Sequence, residues 1–181
     1  MEGDENLSRG LRKREPEAWA RLYEEYMPRI YRYIALRVRN QSEAEDLTEQ
    51  VFLKALEAGP SFRWRGAPIS SWLFRIARNQ VIDFWRTDKT GRTVTLDESL
   101  IDDIANPERT AERNEDIRQV IREMGQLTQA QREVIELRFA AELSTAEVAR
   151  VLGKSQGAVK VMQHSALAAL RKRLAGWSSH E

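Results

Sequence analysis

Between about residues 87 and 110 the chain reads TDKTGRTVTLDESLIDDIANPERT, and the apolar repeat that runs on both sides of it stops. Turn residues and acids mix there without a period, as in a linker. A structureless loop of that length is uncommon inside one compact domain. The break therefore predicts two domains, over residues 12–90 and 108–176, joined by a flexible acidic linker at 91–107. With 181 residues and 41% hydrophobic content, the chain has enough apolar side chains for two small cores.

The flanking patterns are helical. Pro16 suits a first helical turn, and Trp19, Leu22, Tyr23, Tyr26, Ile30, Tyr33 and Ile34 recur at helical spacing. Pro28 is expected to divide this run into two helices or to kink it. Ser42 and Glu45 read as a capping box before an inner face of Leu47, Val51 and Ala55, and Gly59-Pro60 ends that helix. Ser70 or Ser71 can cap a further unit running to about Arg86, and Thr128 with Gln131 and Ser144 with Glu147 form two more capping boxes. Strand alternation is essentially missing, so the expected class is all-α.

A net charge of +1 hides an uneven distribution. Residues 61–94 carry seven basic and two acidic side chains, 95–116 carry two and eight, and 148–181 carry six and one. Two basic segments around an acidic one fit two contact points on a polyanion, although each segment alone could be a solvated helix face.

The second basic segment contains STAEVARVLGKSQGAVKVMQ, with Ala149, Gly153 and Val159 at helix-turn-helix spacing. Ala149 lets two helices approach, Gly153 can adopt the left-handed turn, and Val159 and Met162 pack the second helix on the first. Ser155 caps that second helix, whose N-terminal residues would enter a major groove. Gln156, Lys160, Gln163 and His164 are the candidates to face bases and phosphates. An ordinary helical hairpin shares the same spacing.

The first basic segment, SFRWRGAPISSWLFRIARNQVIDFWR, interleaves six aromatic side chains with five arginines, a composition suited to unstacked bases. Leu73, Ile76, Ala77, Gln80 and Phe84 form the expected buried stripe of its helix, and Trp72, Arg75, Asn79, Asp83 and Arg86 fall on another face. That face can stack on bases, hydrogen-bond a flipped base and hold phosphates. For Phe74, Phe84 and Trp85 core packing is the expected role, and Asp83 can pair with an arginine one turn away.

Other chemistries find little support. There is no cysteine, and the two histidines, His164 and His180, are too few for an imidazole metal site. No cofactor or metal is expected. The start, MEGDENLSRG, is acidic and polar where a signal peptide would be basic and then apolar, and no run of about 18 apolar residues occurs, so a cytoplasmic protein without membrane insertion is expected. No serine, tyrosine or carboxylate stands in a recognisable catalytic setting, which argues against a DNA-processing enzyme.

Taken in order, SEAEDLTEQVFLKAL, SFRWRG, SSWLFRIARNQVIDFWR, LTQAQREVIELRF and LSTAEVARVLGKSQGAVK resemble the bacterial RNA polymerase sigma factors of the extracytoplasmic-function (ECF) type, which keep only the second and fourth conserved regions. The resemblance covers about residues 14–90 and 112–174. It implies a factor that binds core RNA polymerase, recognises promoter −35 and −10 elements and promotes opening of the DNA. Asp46, Glu49 and Gln50 would then dock on the coiled coil of the largest polymerase subunit. Phe62, Arg63, Trp72, Arg75, Asn79 and Arg86 would capture the non-template strand at the −10 element, with Asn79 at the pocket of a flipped base. Ser155, Gln156, Lys160, Gln163 and His164 would read the −35 element as duplex, and Arg171, Lys172 and Arg173 would attract phosphates or touch polymerase. The linker would thread into the polymerase channels, and an anti-sigma protein is the implied regulator. Two positions depart from the common pattern: Glu49-Gln50 stands where Gln-Glu is more usual, and the second helix of the motif lacks early arginines. The rival reading is a conventional helix-turn-helix regulator that binds duplex DNA without polymerase; it accounts for residues 128–174 and leaves the tryptophan and arginine segment unexplained.

Overall fold

The structure is a computed structural model that describes residues 2–38, 40–63, 66–87 and 111–177. Among these residues there is no strand, and the chain is all-α, as expected. The linker expected at 91–107 lies outside the described residues, as do Trp64, Arg65 and His180.

The N-terminal half comprises α1 (Glu2–Arg12), α2 (Pro16–Val38), α3 (Gln41–Ala58) and α4 (Ile69–Thr87), with a single 3-10 turn at Gly59–Ser61. α2 is the spine, because α1, α3 and α4 all pack on it. Its Leu22, Tyr26, Ile30, Tyr33 and Ile34 are buried against Leu47, Val51 and Ala55 of α3 and Leu73, Phe74 and Ala77 of α4. Gly59 sits under the Trp19 ring so closely that an added Cβ would lie 2.5 Å from it. Any side chain there would lift the end of α3 off α2.

Three local expectations need correction. Pro28 does not divide the run into two helices: it lies inside one continuous helix, on its exposed side, where the carbonyl that loses its partner can turn to water. Burial of the spine outweighs that one hydrogen bond. The cap of α3 is Asn40, whose side chain accepts from the Glu43 N–H at 3.0 Å, so Ser42 lies within the helix. Ser70 and Ser71 are likewise buried inside α4, which begins at Ile69 directly after Pro68.

The C-terminal half comprises α5 (Ala111–Met124), α6 (Gln129–Ile135), which runs into a π-helical turn at Glu136–Ala140, α7 (Thr145–Leu152) and α8 (Gln156–Trp177). Both expected capping boxes are present: Thr128 and Gln131 open α6, and Ser144 and Glu147 open α7. α8 packs on α5, α6 and α7. The two halves also pack on each other, with Val134, Leu137, Leu143, Val148 and Val151 in the same apolar cluster as Tyr33, Phe74 and Val81. A chain read as two domains on a linker gave no sign of that contact.

Candidate nucleic-acid and polymerase interface

α7 and α8 form the helix-turn-helix. Gly153 ends α7 in the left-handed conformation (φ 64°, ψ 34°), and its N–H bonds back to the Ala149 carbonyl. A side chain with a Cβ is strained at that angle, so the tight turn depends on glycine. Ser155 Oγ accepts from the Ala158 N–H at 3.1 Å and starts α8, while Val159 is fully buried against the first helix. Ser155, Gln156, Lys160 and His164 are exposed on the outer side. Gln163 is half-buried instead, its side-chain oxygen accepting from Arg138 Nε at 3.0 Å. Val161 is 70% exposed in the middle of the outer face, three residues before His164. The sequence reading passed over it, although its opposition to buried Val159 on a helical wheel marks it as outward.

On the N-terminal half, Phe62 and Trp72 stack with ring centroids 4.4 Å apart and planes at 30°. Both are half-buried, packed on the core beneath and open on one side, so Trp72 is neither fully core nor fully free. Arg63, Arg75, Asn79 and Arg86 are exposed around this pair or farther along α4. Arg86 is 3.0 Å from Asp83, the ion pair expected one turn away. Phe74 is fully buried and Phe84 is half-buried against the core, whereas Trp85, expected to pack in the core as well, is 37% exposed and only touches the Phe84 ring edge-on.

Asp46, Glu49 and Gln50 are exposed on α3. Beside them a groove of about 540 Å³ opens between α2 and α3, lined by Trp19, Tyr23, Phe52, Leu53 and Leu56 with Glu24 and Glu49 at its edge. Tyr23, Leu53 and Leu56 are 49%, 59% and 42% exposed, and three large apolar side chains on one face mark a contact surface. The sequence reading gave the acids of this face but not its apolar part, because Leu53 and Leu56 fall within an ordinary helical repeat.

Where the halves meet, arginines of the first satisfy carbonyls and carboxylates of the second. Arg29 donates to the Ala141 carbonyl at 2.9 Å, and Arg32 to that of Ala140 at 3.2 Å. Arg75 donates to the Arg150 carbonyl at 2.7 Å, near the C-terminus of α7. Arg78 grips Glu133 through two nitrogens, at 2.8 and 3.4 Å. Arg37 lies 3.1 Å from Glu136 and 3.6 Å from Glu133. Ser70 donates to Glu147, whose carboxyl is raised by burial but held below its ordinary value by hydrogen bonds from Ser144 and Ser70. Glu136 is only 1% exposed, and burial pushes its carboxyl up to about 7 against the pull of Arg37. Among the described residues, Glu136 Oε1 and the buried Tyr33 hydroxyl have no hydrogen-bond partner.

Residues 22–90 match the family description Sigma-70 region 2, and residues 124–172 match Sigma-70, region 4. The chain is 31% identical over 164 residues to the ECF RNA polymerase sigma factor SigX of Bacillus subtilis, covering 87% of this chain and 84% of that protein. It belongs to the ECF sigma factors. Another member, BldN of Streptomyces coelicolor, is 38% identical over 167 residues, 88% of this chain; the chain spans 61% of that longer protein. The fold is also that of CnrH in complex with the cytosolic domain of CnrY, with a TM-score of 0.72 and 24% identity over 96% of this chain and 97% of that one. The sigma factor RpoE of Bartonella quintana, in complex with the anti-sigma factor NepR, has a TM-score of 0.69 at 21% identity, covering 86% and 96%. The sigma-factor matches take in the tryptophan and arginine segment as well as the helix-turn-helix, and so favour a sigma factor over a regulator confined to duplex DNA. No helix among the described residues is long and apolar enough to cross a membrane.

Proposed function

We propose that this ECF sigma factor directs core RNA polymerase to promoters through two surfaces, and that it acts in the cytoplasm by binding, with no catalytic step of its own. Residues 12–90 serve as region 2, 108–176 as region 4, and 91–107 join them. Ser155, Gln156 and Lys160, with His164, read the −35 duplex, and Val161 presents methyl groups to the same groove. Gln163 takes part only if it leaves Arg138. Phe62 and Trp72 form the platform on which an unpaired base stacks, Asn79 offers its amide to a flipped base, and Arg63, Arg75 and Arg86 hold the backbone. Asp46, Glu49 and Gln50, with the apolar groove beside them, dock on the polymerase.

The observation that carries this reading is the open aromatic stack of Phe62 and Trp72, flanked by exposed arginines, on the same chain as a helix-turn-helix. A duplex-only regulator has no use for it. RpoE and its anti-sigma partner extend the reading to an anti-sigma protein as regulator of this chain too.

The test mixes the purified protein with bacterial core polymerase and a genomic promoter library and maps transcript starts. Starts that depend on the protein and share two upstream elements are expected. Duplex binding without core association or new starts would overturn the proposal. Within the same assay Asp46→Arg should weaken core binding at least tenfold and leave duplex binding by the C-terminal half unchanged; retained core affinity would remove Asp46 from the docking face.

A further inference from the structure

Just beyond α1 stands an arginine that the backbone resists. Leu7 and Leu11 bury the inner side of the helix, and Gly10 brings it close to α2: an added Cβ would lie 2.6 Å from the Ala18 Cβ. The helix closes in a Schellman turn, the Glu15 N–H donating to the Gly10 carbonyl at 3.0 Å and the Arg14 N–H to that of Leu11 at 3.2 Å. That turn puts Arg14 in the left-handed conformation, with φ 57°. Glycine is the usual residue there, because a Cβ crowds the backbone.

Strain of this kind persists where the side chain has a use. Among the described residues the one other non-glycine with positive φ is Glu142, at 56°, and its carboxylate pairs with Arg32. Arg14 has no ion pair among the described residues. Nor has Arg12, the last residue of α1, whereas Arg9 pairs with Glu5 and Lys13 with Glu15. Both unpaired arginines are exposed. The helix macrodipole favours a cation at position 12, but it gives no reason for one at position 14, outside the helix and in a strained turn.

The end of α1 also lies beside the strand-capturing surface. The Leu11 carbonyl is 3.4 Å from the place a Cβ of Gly59 would take. Gly59 opens the 3-10 turn that delivers Phe62, whose N–H donates back to the Gly59 carbonyl at 3.0 Å. Three residues lead from that contact to Arg14 and three to Phe62, so at most roughly 25 Å of backbone separates them. A strand stacked on Phe62 and Trp72 needs only a few more nucleotides to reach the two arginines. The groove between α2 and α3 has Glu24 and Glu49 at its edge, so the end of α1 is a surface of opposite sign. A guanidinium there suits a phosphate, which it can hold through two parallel hydrogen bonds.

We propose that Arg12 and Arg14 form a phosphate-binding site for the non-template strand where it runs past the aromatic stack, outside the −10 element itself. This rests on the sigma-factor reading of that stack. Both residues precede residues 22–90, which match region 2, so the site belongs to the helix that this chain carries ahead of the matched segment. The close packing at Gly10 and the fixed turn hold the arginine backbones in place, and less order is lost on binding. Such contacts carry no sequence information; they lengthen the stretch of strand that is held.

The test uses holoenzyme assembled from bacterial core polymerase and the full-length protein. Single-stranded oligonucleotides carry a −10 element from a promoter mapped in the transcription assay, either alone or extended by about six nucleotides at the 5′ or the 3′ end. Each is titrated at several salt concentrations. Extension at one end should strengthen binding and steepen the slope of log K against log salt by about 1.4 units, roughly 0.7 for each phosphate of a single strand. R12A/R14G should lose that gain and still bind the unextended oligonucleotide as before. R14K keeps both the charge and the strained backbone and should retain most of the gain. R14G alone should lose about 0.7 units of slope, yet unfold at an equal or higher denaturant concentration, because glycine relieves the turn. A gain from extension that survives intact in R12A/R14G would overturn the site, as would an R14G protein that is less stable and binds both oligonucleotides more weakly. If the unsubstituted holoenzyme did not bind the unextended oligonucleotide, the reading of the stack would fall and the site with it; intact binding with an unchanged slope would remove the site alone.

Discussion

Single side chains divide the proposed DNA contacts into positioning and reading. Lys160 is exposed on a helix that has no arginine between Gln156 and Leu170. It is the main cation of that stretch, and each phosphate neutralised by a cation releases counterions. Lys160→Ala should therefore weaken −35 duplex binding and reduce the slope of log K against log salt by about one unit, measured by titration at several salt concentrations. An unchanged slope would mean that Lys160 touches no phosphate. Trp72 makes a different prediction, because its ring is held against Phe62 at 4.4 Å and not on a duplex-reading helix. Trp72→Ala removes a stacking partner worth about 1–3 kcal/mol per base. Promoter opening by the holoenzyme, followed by permanganate reactivity of unpaired thymines, should fall by about fivefold or more, with duplex binding changed little. Equal losses in the two assays would assign Trp72 to folding.

At the scale of the element, the helix starts in the C-terminal half depend on local chemistry. Ser144 accepts from the Glu147 N–H, and Glu147 accepts in return from the Ser144 N–H at 2.7 Å. Ser144→Ala should destabilise the helix-turn-helix by about 1 kcal/mol, read as a lower midpoint in denaturant unfolding, and leave α4 and its stack in place. These boxes were legible in the sequence because the pairing is confined to four consecutive residues. So were Gly153 and the inner faces of α3 and α4, where one spacing rule decides. The start of α3 was misplaced because Asn40 and Ser42 are both good caps two residues apart, and only the backbone angle at Asn40 chooses between them. Pro28 does not divide α2, because the burial that carries the helix through it comes from α3 and α4, far along the chain. Ser70 illustrates the same limit in the site: its partner is Glu147, a contact no local pattern contains.

For the whole molecule, the contact between the two halves makes stability depend on protons. Glu136 of the π-helical turn is faced by Tyr33 and Arg37 from α2, by Arg132 and Glu133 from α6, and more distantly by Arg78 of α4 through its bond to Glu133. Burial sets its carboxyl at about 7 in the closed arrangement, whereas an exposed carboxyl of this type has a value near 4.5. Tyr33 is raised away from neutrality, and the arginines stay charged throughout. Between those two values the closed form therefore holds a proton that the open form releases. Closure is favoured as pH falls toward the lower value and loses that support as pH rises through about 7. Lowering the pH from about 8 to about 6 should accordingly shorten the distance between spin labels attached at the exposed positions Arg21→Cys on α2 and Ala130→Cys on α6. Glu136→Gln, which cannot titrate, should show no such shift. If the unsubstituted protein opened on acidification, the burial of Glu136 would not control the contact.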